Sequence, residues 1–149
     1  MIYKSYQVEQ NINFIKEKLV LIYGENLSLI DDLKNEIKST HKNFEINSYF
    51  QEDVVKNQEN FFQNILNLSL FEKDKVFFIN NATDKILPLV KEIENKIDKQ
   101  KIFLFSELLD KKSKIRNYFE KSKNTGIVPC YIDNEITLKK IITEKLKHF

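Results

Sequence analysis

Two glycines, two prolines, one cysteine and a single arginine among 149 residues leave little room for several common chemistries. Neither glycine belongs to a glycine-rich run. The segment Lys18-Leu19-Val20-Leu21-Ile22-Tyr23-Gly24 reads as a buried strand running into a turn, and Glu25-Asn26-Leu27-Ser28-Leu29-Ile30 already opens a helix. A phosphate loop at this place needs a glycine-rich spacer and a Lys-Ser/Thr pair, so that backbone amides and an ammonium surround phosphate. None of those residues is present. A strand, turn and helix without that chemistry point toward a protein that binds partners rather than one that hydrolyses substrate.

The other scarcities exclude further classes. Cys130 has no second cysteine to pair with, and it lies in the apolar run Gly126-Ile127-Val128-Pro129-Cys130-Tyr131-Ile132. This predicts a buried structural thiol and a reducing, cytoplasmic setting. The longest apolar runs are about six residues, against roughly 20 for a bilayer span, and the N-terminus has no apolar signal core, so no membrane is expected. His41 and His148 stand far apart without Cys, His or acidic partners at ligand spacing. No metal site is expected, and both histidines are predicted at the solvated surface. With Arg116 as the one arginine, bidentate recognition of phosphate or guanine has little to work with.

What is present is apolar and mixed in charge. A hydrophobic content of 42%, including 12 Phe, suffices for a full core in one domain. The 24 basic and 22 acidic residues are interleaved and leave a net charge of +2, so nucleic-acid binding is not announced.

Strand and helix patterns alternate along the chain. After the first strand, Leu27, Ile30, Leu33 and Ile37 recur at helical spacing, and Asn43 to Phe50 alternates loosely enough for an outer strand. Val54, Val55, Phe61, Phe62, Ile65 and Leu66 mark the next helix, and Lys75-Val76-Phe77-Phe78-Ile79 a strand. Ile86 to Ile97 gives a helix, Ile102 to Phe105 a strand, and Ile115, Tyr118 and Phe119 another helix. Ile127 to Ile132 then leads into a terminal helix carrying Ile136, Leu138, Ile141, Ile142 and Leu146. The alternation predicts right-handed crossovers and an α/β three-layer sandwich around a parallel sheet of about five strands.

In such sheets chemistry gathers at the carboxyl ends of the strands. A phosphate-loop ATPase carries acids after its third strand, where this chain has Asn80-Asn81. A receiver domain needs an aspartate there, a Ser or Thr after the fourth strand and a Lys after the fifth. Ser106 fits, but Asn80 replaces the aspartate and Cys130 to Asp133 offers no lysine. Asp31-Asp32 lie inside the first helix and read as a solvated face. No catalytic residue and no cofactor are expected. The stretch Lys111, Lys112, Lys114, Arg116, Lys121 and Lys123 reads as a solvated helix face diluted by acids rather than a DNA site.

The unusual element is Leu68-Ser69-Leu70-Phe71, after the helix of Phe61, Phe62, Ile65 and Leu66 and before the charged turn Glu72-Lys73-Asp74-Lys75. It reads either as a helix terminus tucked into the core or as an exposed apolar wedge for a protein pocket.

Taken together, Leu19 to Gly24 followed directly by a helix, Ser69-Leu70-Phe71 before the strand Val76 to Ile79, and Phe103-Leu104-Phe105 followed by Leu108-Leu109-Asp110-Lys111-Lys112-Ser113-Lys114 resemble the bacterial DNA polymerase III delta subunit. The resemblance covers residues 1–133 and that family's N-terminal domain, a degenerate P-loop NTPase fold of the AAA+ (RecA-like) class. It implies a clamp-loader component that enters a cleft of the sliding clamp (beta) ring through a Leu-Phe pair, here Leu70 and Phe71 beside Ser69, with Phe61, Phe62, Ile65 and Leu66 as support. It implies no ATP binding or hydrolysis by this chain, although the polymerase III holoenzyme is a DNA polymerase as a complex. Residues 134–149 match the start of a helical lid domain. Contacts with other clamp-loader subunits are expected through regions beyond this chain, and primer-template DNA would be met only indirectly. A receiver-like or AAA+-like regulatory module with another protein partner is the alternative.

Overall fold

The structure, a computed structural model, describes residues 1–66 and 74–132. Five strands form one parallel sheet: β1 (Leu19–Tyr23), β2 (Glu45–Phe50), β3 (Lys75–Asn80), β4 (Lys101–Ser106) and β5 (Thr125–Pro129). Their spatial order is β2-β3-β4-β1-β5. The helices are α1 (Ser5–Gln10), α2 (Leu27–Thr40), α3 (Gln51–Lys56), α4 (Gln58–Leu66), α5 (Leu87–Glu94) and α6 (Lys114–Lys121).

Handedness decides which face each helix covers. From β1 the chain crosses to the far edge at β2, then steps back through β3 and β4 and over β1 to β5. Right-handed crossovers taken in opposite directions put their helices on opposite faces. Accordingly α2, joined by α1 and the following 3-10 turn, buries Val8, Ile12, Ile30, Leu33 and Ile37 against Val20, Ile22, Val76, Phe78 and Phe105. The other face carries α3 to α6, which bury Val54, Phe61, Ile65, Val90, Ile93, Ile115 and Phe119 against Leu21, Tyr23, Phe77, Ile79 and Leu104. Strands β1 and β3, with successive residues feeding both cores, are buried almost throughout. That explains their near-continuous apolar reading.

Several expectations are refined. The helix predicted from Val54 to Leu66 is two helices, broken at Asn57, whose N–H closes α3 on the Asp53 and Val54 carbonyls. The last strand ends at Pro129 rather than Ile132. The N-terminal helix and the bridge from Ile2 to Ile127 have no counterpart in the pattern-based reading. His41 is the clear correction: it is 8% exposed, not a surface residue. It ends α2, where its Nδ1–H donates to the Ile37 carbonyl at 2.7 Å and its ring meets Phe44 and Phe103 edge-on. The terminal helix, the segment 134–149 and His148 lie outside the described residues. Among the described residues no helix is long and apolar enough to cross a membrane.

Candidate functional site

All five strands run the same way, so their carboxyl ends form one edge, where ligands of α/β sheets bind. The β1 turn sets its character. Gly24 adopts φ +145°, and a Cβ there would stand 2.0 Å from the carbonyl oxygen of Cys130. The chain after β5 is therefore pressed against the turn after β1. The Cys130 N–H donates to Tyr23 O at 2.6 Å, and the Cys130 carbonyl accepts from the Asn26 N–H at 3.0 Å. Asn26 caps α2 through its own side chain, accepting from the Leu29 N–H at 3.2 Å. One of the orphan amides at this helix N-terminus is thus occupied from within the chain.

The rest of the edge is closed by polar pairs. Lys34 donates to Asn80 Oδ1 at 2.6 Å and lies over the Phe105 ring, while Asn80 Nδ2 donates to Ser48 Oγ and to the Tyr49 carbonyl. Partial burial lowers the Lys34 pKa, opposed by Asp31. Asn81 takes the left-handed conformation that Asn tolerates better than most residues, at φ 58°. Gln51 and Thr83 bond reciprocally, at 2.8 Å and 2.6 Å. Ser106, the candidate receiver-type hydroxyl, is buried and donates to the Ala82 carbonyl at 2.7 Å. Asp84 caps α6 by accepting from the Ile115 N–H and the Ser113 hydroxyl, which hold its carboxyl below the usual range. Lys34, Asn80, Gln51, Thr83, Ser106 and Asp84 thus each already have a partner within the chain. Among the described residues there is no group of three or more His, Cys, Asp or Glu placed to hold a metal.

Arg116 serves the same bracing. It stacks over Tyr23, pairs with Glu120 at 2.8 Å and donates to the Leu109 carbonyl at 2.9 Å, so the one guanidinium of the basic stretch pins the loop after β4. Lys111, Lys112, Lys114, Lys121 and Lys123 are exposed as expected, and Asp31 and Asp32 are exposed on α2. Cys130 is fully buried, and burial, with Glu9 nearby, pushes its thiol up to about 12.

Ser69, Leu70 and Phe71 lie outside the described residues. Of their expected supports on α4, Phe61 and Ile65 are buried in the core against the sheet, whereas Phe62 and Leu66 are half-buried at its margin. The helix is held at both sides of its last turn. Gln100, 3% exposed, donates to the Ile65 carbonyl at 2.7 Å and accepts from the Asp98 N–H at 2.8 Å. Asn64 donates to the Tyr49 hydroxyl and accepts from Lys75. Sequence reasoning missed Gln100, since a lone glutamine in the polar run Asp98-Lys99-Gln100-Lys101 gives no sign that it is buried.

Compared with models of known families and with curated proteins, the chain matches none.

Proposed function

We propose that this chain is a protein-binding member of the degenerate AAA+ class. More particularly, we read it as the clamp-contacting domain of a clamp-loader delta subunit, acting through Ser69, Leu70 and Phe71. The observation that carries the reading is the closure of the β1 turn by the Cys130 carbonyl, in a sheet of order β2-β3-β4-β1-β5. That order, with β4 between β1 and β3, is the one the AAA+ class implies. It differs from the 2-1-3-4-5 order of flavodoxin-like and receiver folds, which speaks against the receiver-like alternative.

A triphosphate with its metal does not fit the residues present. A carbonyl oxygen stands where a phosphate loop offers N–H donors, the helix N-terminus is capped from within, and Asn80 spends its carboxamide on Lys34, Ser48 and Tyr49. With the carboxyl edge given over to bracing, the function falls to a surface. Phe61, Ile65 and Gln100 anchor α4, the helix that precedes the Leu-Phe element in the chain. A Leu and a Phe taken from water into a preformed pocket contribute about 1.5 to 3 kcal/mol each. Ring opening is then differential binding: the chain favours the open ring only by as much as it binds that state better.

Surface plasmon resonance of the chain on the immobilised cognate sliding clamp tests this, beside the Leu70→Ala/Phe71→Ala variant checked for folding by circular dichroism. Binding by the parent that is lost in the folded variant is expected. Equal binding by both, or none by the parent, overturns the reading.

A further inference from the structure

The bonds that close the carboxyl edge leave donors unspent at one place. Lys34 stands on α2 with its ammonium between the Phe105 ring, 4.4 Å from the centroid, and Asn80 Oδ1 at 2.6 Å. An ammonium has three N–H donors, and among the described residues Asn80 is its one hydrogen-bond acceptor. No carboxylate among those residues stands within ion-pair distance of it. Lys75 and Arg116, which are also enclosed, each reach one: Glu45 at 4.0 Å and Glu120 at 2.8 Å. Lys34 is therefore a half-buried charge whose lost hydration is offset by a single neutral oxygen and a ring face. Its lowered pKa has the same origin, burial first, with Asp31 opposing and Lys38 adding.

Ser48, on the neighbouring strand, stands at the other end of the same carboxamide. Its Oγ accepts from Asn80 Nδ2 at 3.0 Å, and its own O–H has no acceptor among the described residues. The residue is exposed, so that hydroxyl is open to solvent. Asn80 thus carries an ammonium at its oxygen end and a hydroxyl at its nitrogen end, both with protons to give, and is itself held by its bond to the Tyr49 carbonyl. Position adds to this. Asn80 ends β3 at the edge where ligands of parallel sheets bind, and the pair Asn80-Asn81 is neutral where acids would repel an anion.

We propose that Lys34 and Ser48, set by Asn80, form a binding site for a phosphate group, either the free ion or a phosphomonoester. A tetrahedral oxyanion presents several oxygens around one centre and can take the ammonium and the hydroxyl at once. A phosphomonoester carries a charge of about −1.5 to −2 at pH 7, against −1 for a carboxylate, which suits an ammonium that has lost part of its hydration. The site uses side chains alone and takes nothing from the capped N-terminus of α2. It is also independent of the clamp reading, since Lys34 and Phe105 belong to the α2 face of the sheet and α4 packs on the other.

Calorimetry and NMR of the full chain carrying 13C at the lysine Cε test the proposal, with sodium phosphate, O-phosphoserine or acetate added from about 0.1 mM to about 10 mM at constant ionic strength. Phosphate or phosphoserine is expected to saturate, to move the Lys34 signal and to raise its pKa, while the Lys38 signal stays in place. Lys34→Met, whose side chain still covers Phe105, is expected to lose binding with unchanged circular dichroism. Ser48→Ala, at an exposed position, is expected to weaken it about tenfold. Tighter binding of phosphoserine assigns the monoester, tighter binding of phosphate the free ion, and both orders support the site. Equal movement of the Lys34 and Lys38 signals means ionic screening alone and overturns the proposal. So does acetate that binds as tightly as phosphate, unchanged affinity in Lys34→Met or Ser48→Ala, or no saturation with either phosphate.

Discussion

His41 shows how far a single side chain can depart from its local sequence. Its Nδ1–H is committed to the Ile37 carbonyl, which leaves Nε2 as the acceptor facing the Lys101 ammonium at 3.4 Å. Burial lowers its pKa first, the bond to Ile37 opposes, and Lys101 lowers it further. The unfolded chain therefore takes up the proton before the folded one as pH falls. Stability is fully present above about pH 6.5, the ordinary histidine value, and is lost as the pH drops below it toward the folded-state pKa. Thermal melts of the parent at pH 7.5 and 5.5 are expected to differ by more than those of His41→Gln, and an equal acid loss in both would refute the assignment. Cys130 gives a second residue-scale expectation. With its thiol pushed up to about 12 and no exposed surface, it should resist a thiol reagent at pH 8 in the folded protein and react on unfolding. Cysteine burial was legible from the apolar run around it. Histidine burial was not, because Thr40-His41-Lys42 is polar and only the approach of Phe44 and Phe103 encloses the ring.

At the scale of the element, turns and helix ends carry the information that periodicity leaves out. Gly24 is required by both its φ and the carbonyl beside it, so Gly24→Ala forces β1 and the chain after β5 apart. Chemical denaturation should place the loss above the roughly 1 kcal/mol typical of point substitutions, and a neutral outcome would show that the turn can relax. On α4 the two adjacent phenylalanines separate cleanly. Phe61→Ala removes a core side chain and is expected to cost about 3 to 5 kcal/mol, whereas Phe62→Ala, at the margin and partly covered by Lys96, should cost much less. Which of the two faces the sheet was not legible from the spacing, since Phe61 pairs with Ile65 and Phe62 with Leu66 at the same interval. The break at Asn57 was equally hidden, because the apolar positions of α3 and α4 fall near one helical phase.

For the whole molecule, strand order decides where everything sits. Removing residues 1–3 strips the cover from β5 and should lower the melting temperature. An unchanged melting temperature would mean that these residues add nothing to the hold on β5. The class of fold was legible because parallel strands covered on both faces must be almost wholly apolar, and Leu19–Tyr23 and Val76–Ile79 are. Order was not, since nothing local in β4 states that it inserts between β1 and β3.

The sequence by itself determined the alternation of strand and helix, the apolar core and the lack of phosphate-loop residues, because these depend on residue type and spacing alone. Only the tertiary structure decided that the Cys130 carbonyl closes the turn after Gly24, that Gln100 holds the end of α4, and that the N-terminal residues cover the β5 edge of the sheet. Each of these joins residues distant in the chain, and such pairings are fixed by crossover handedness and packing rather than by any pattern within a segment.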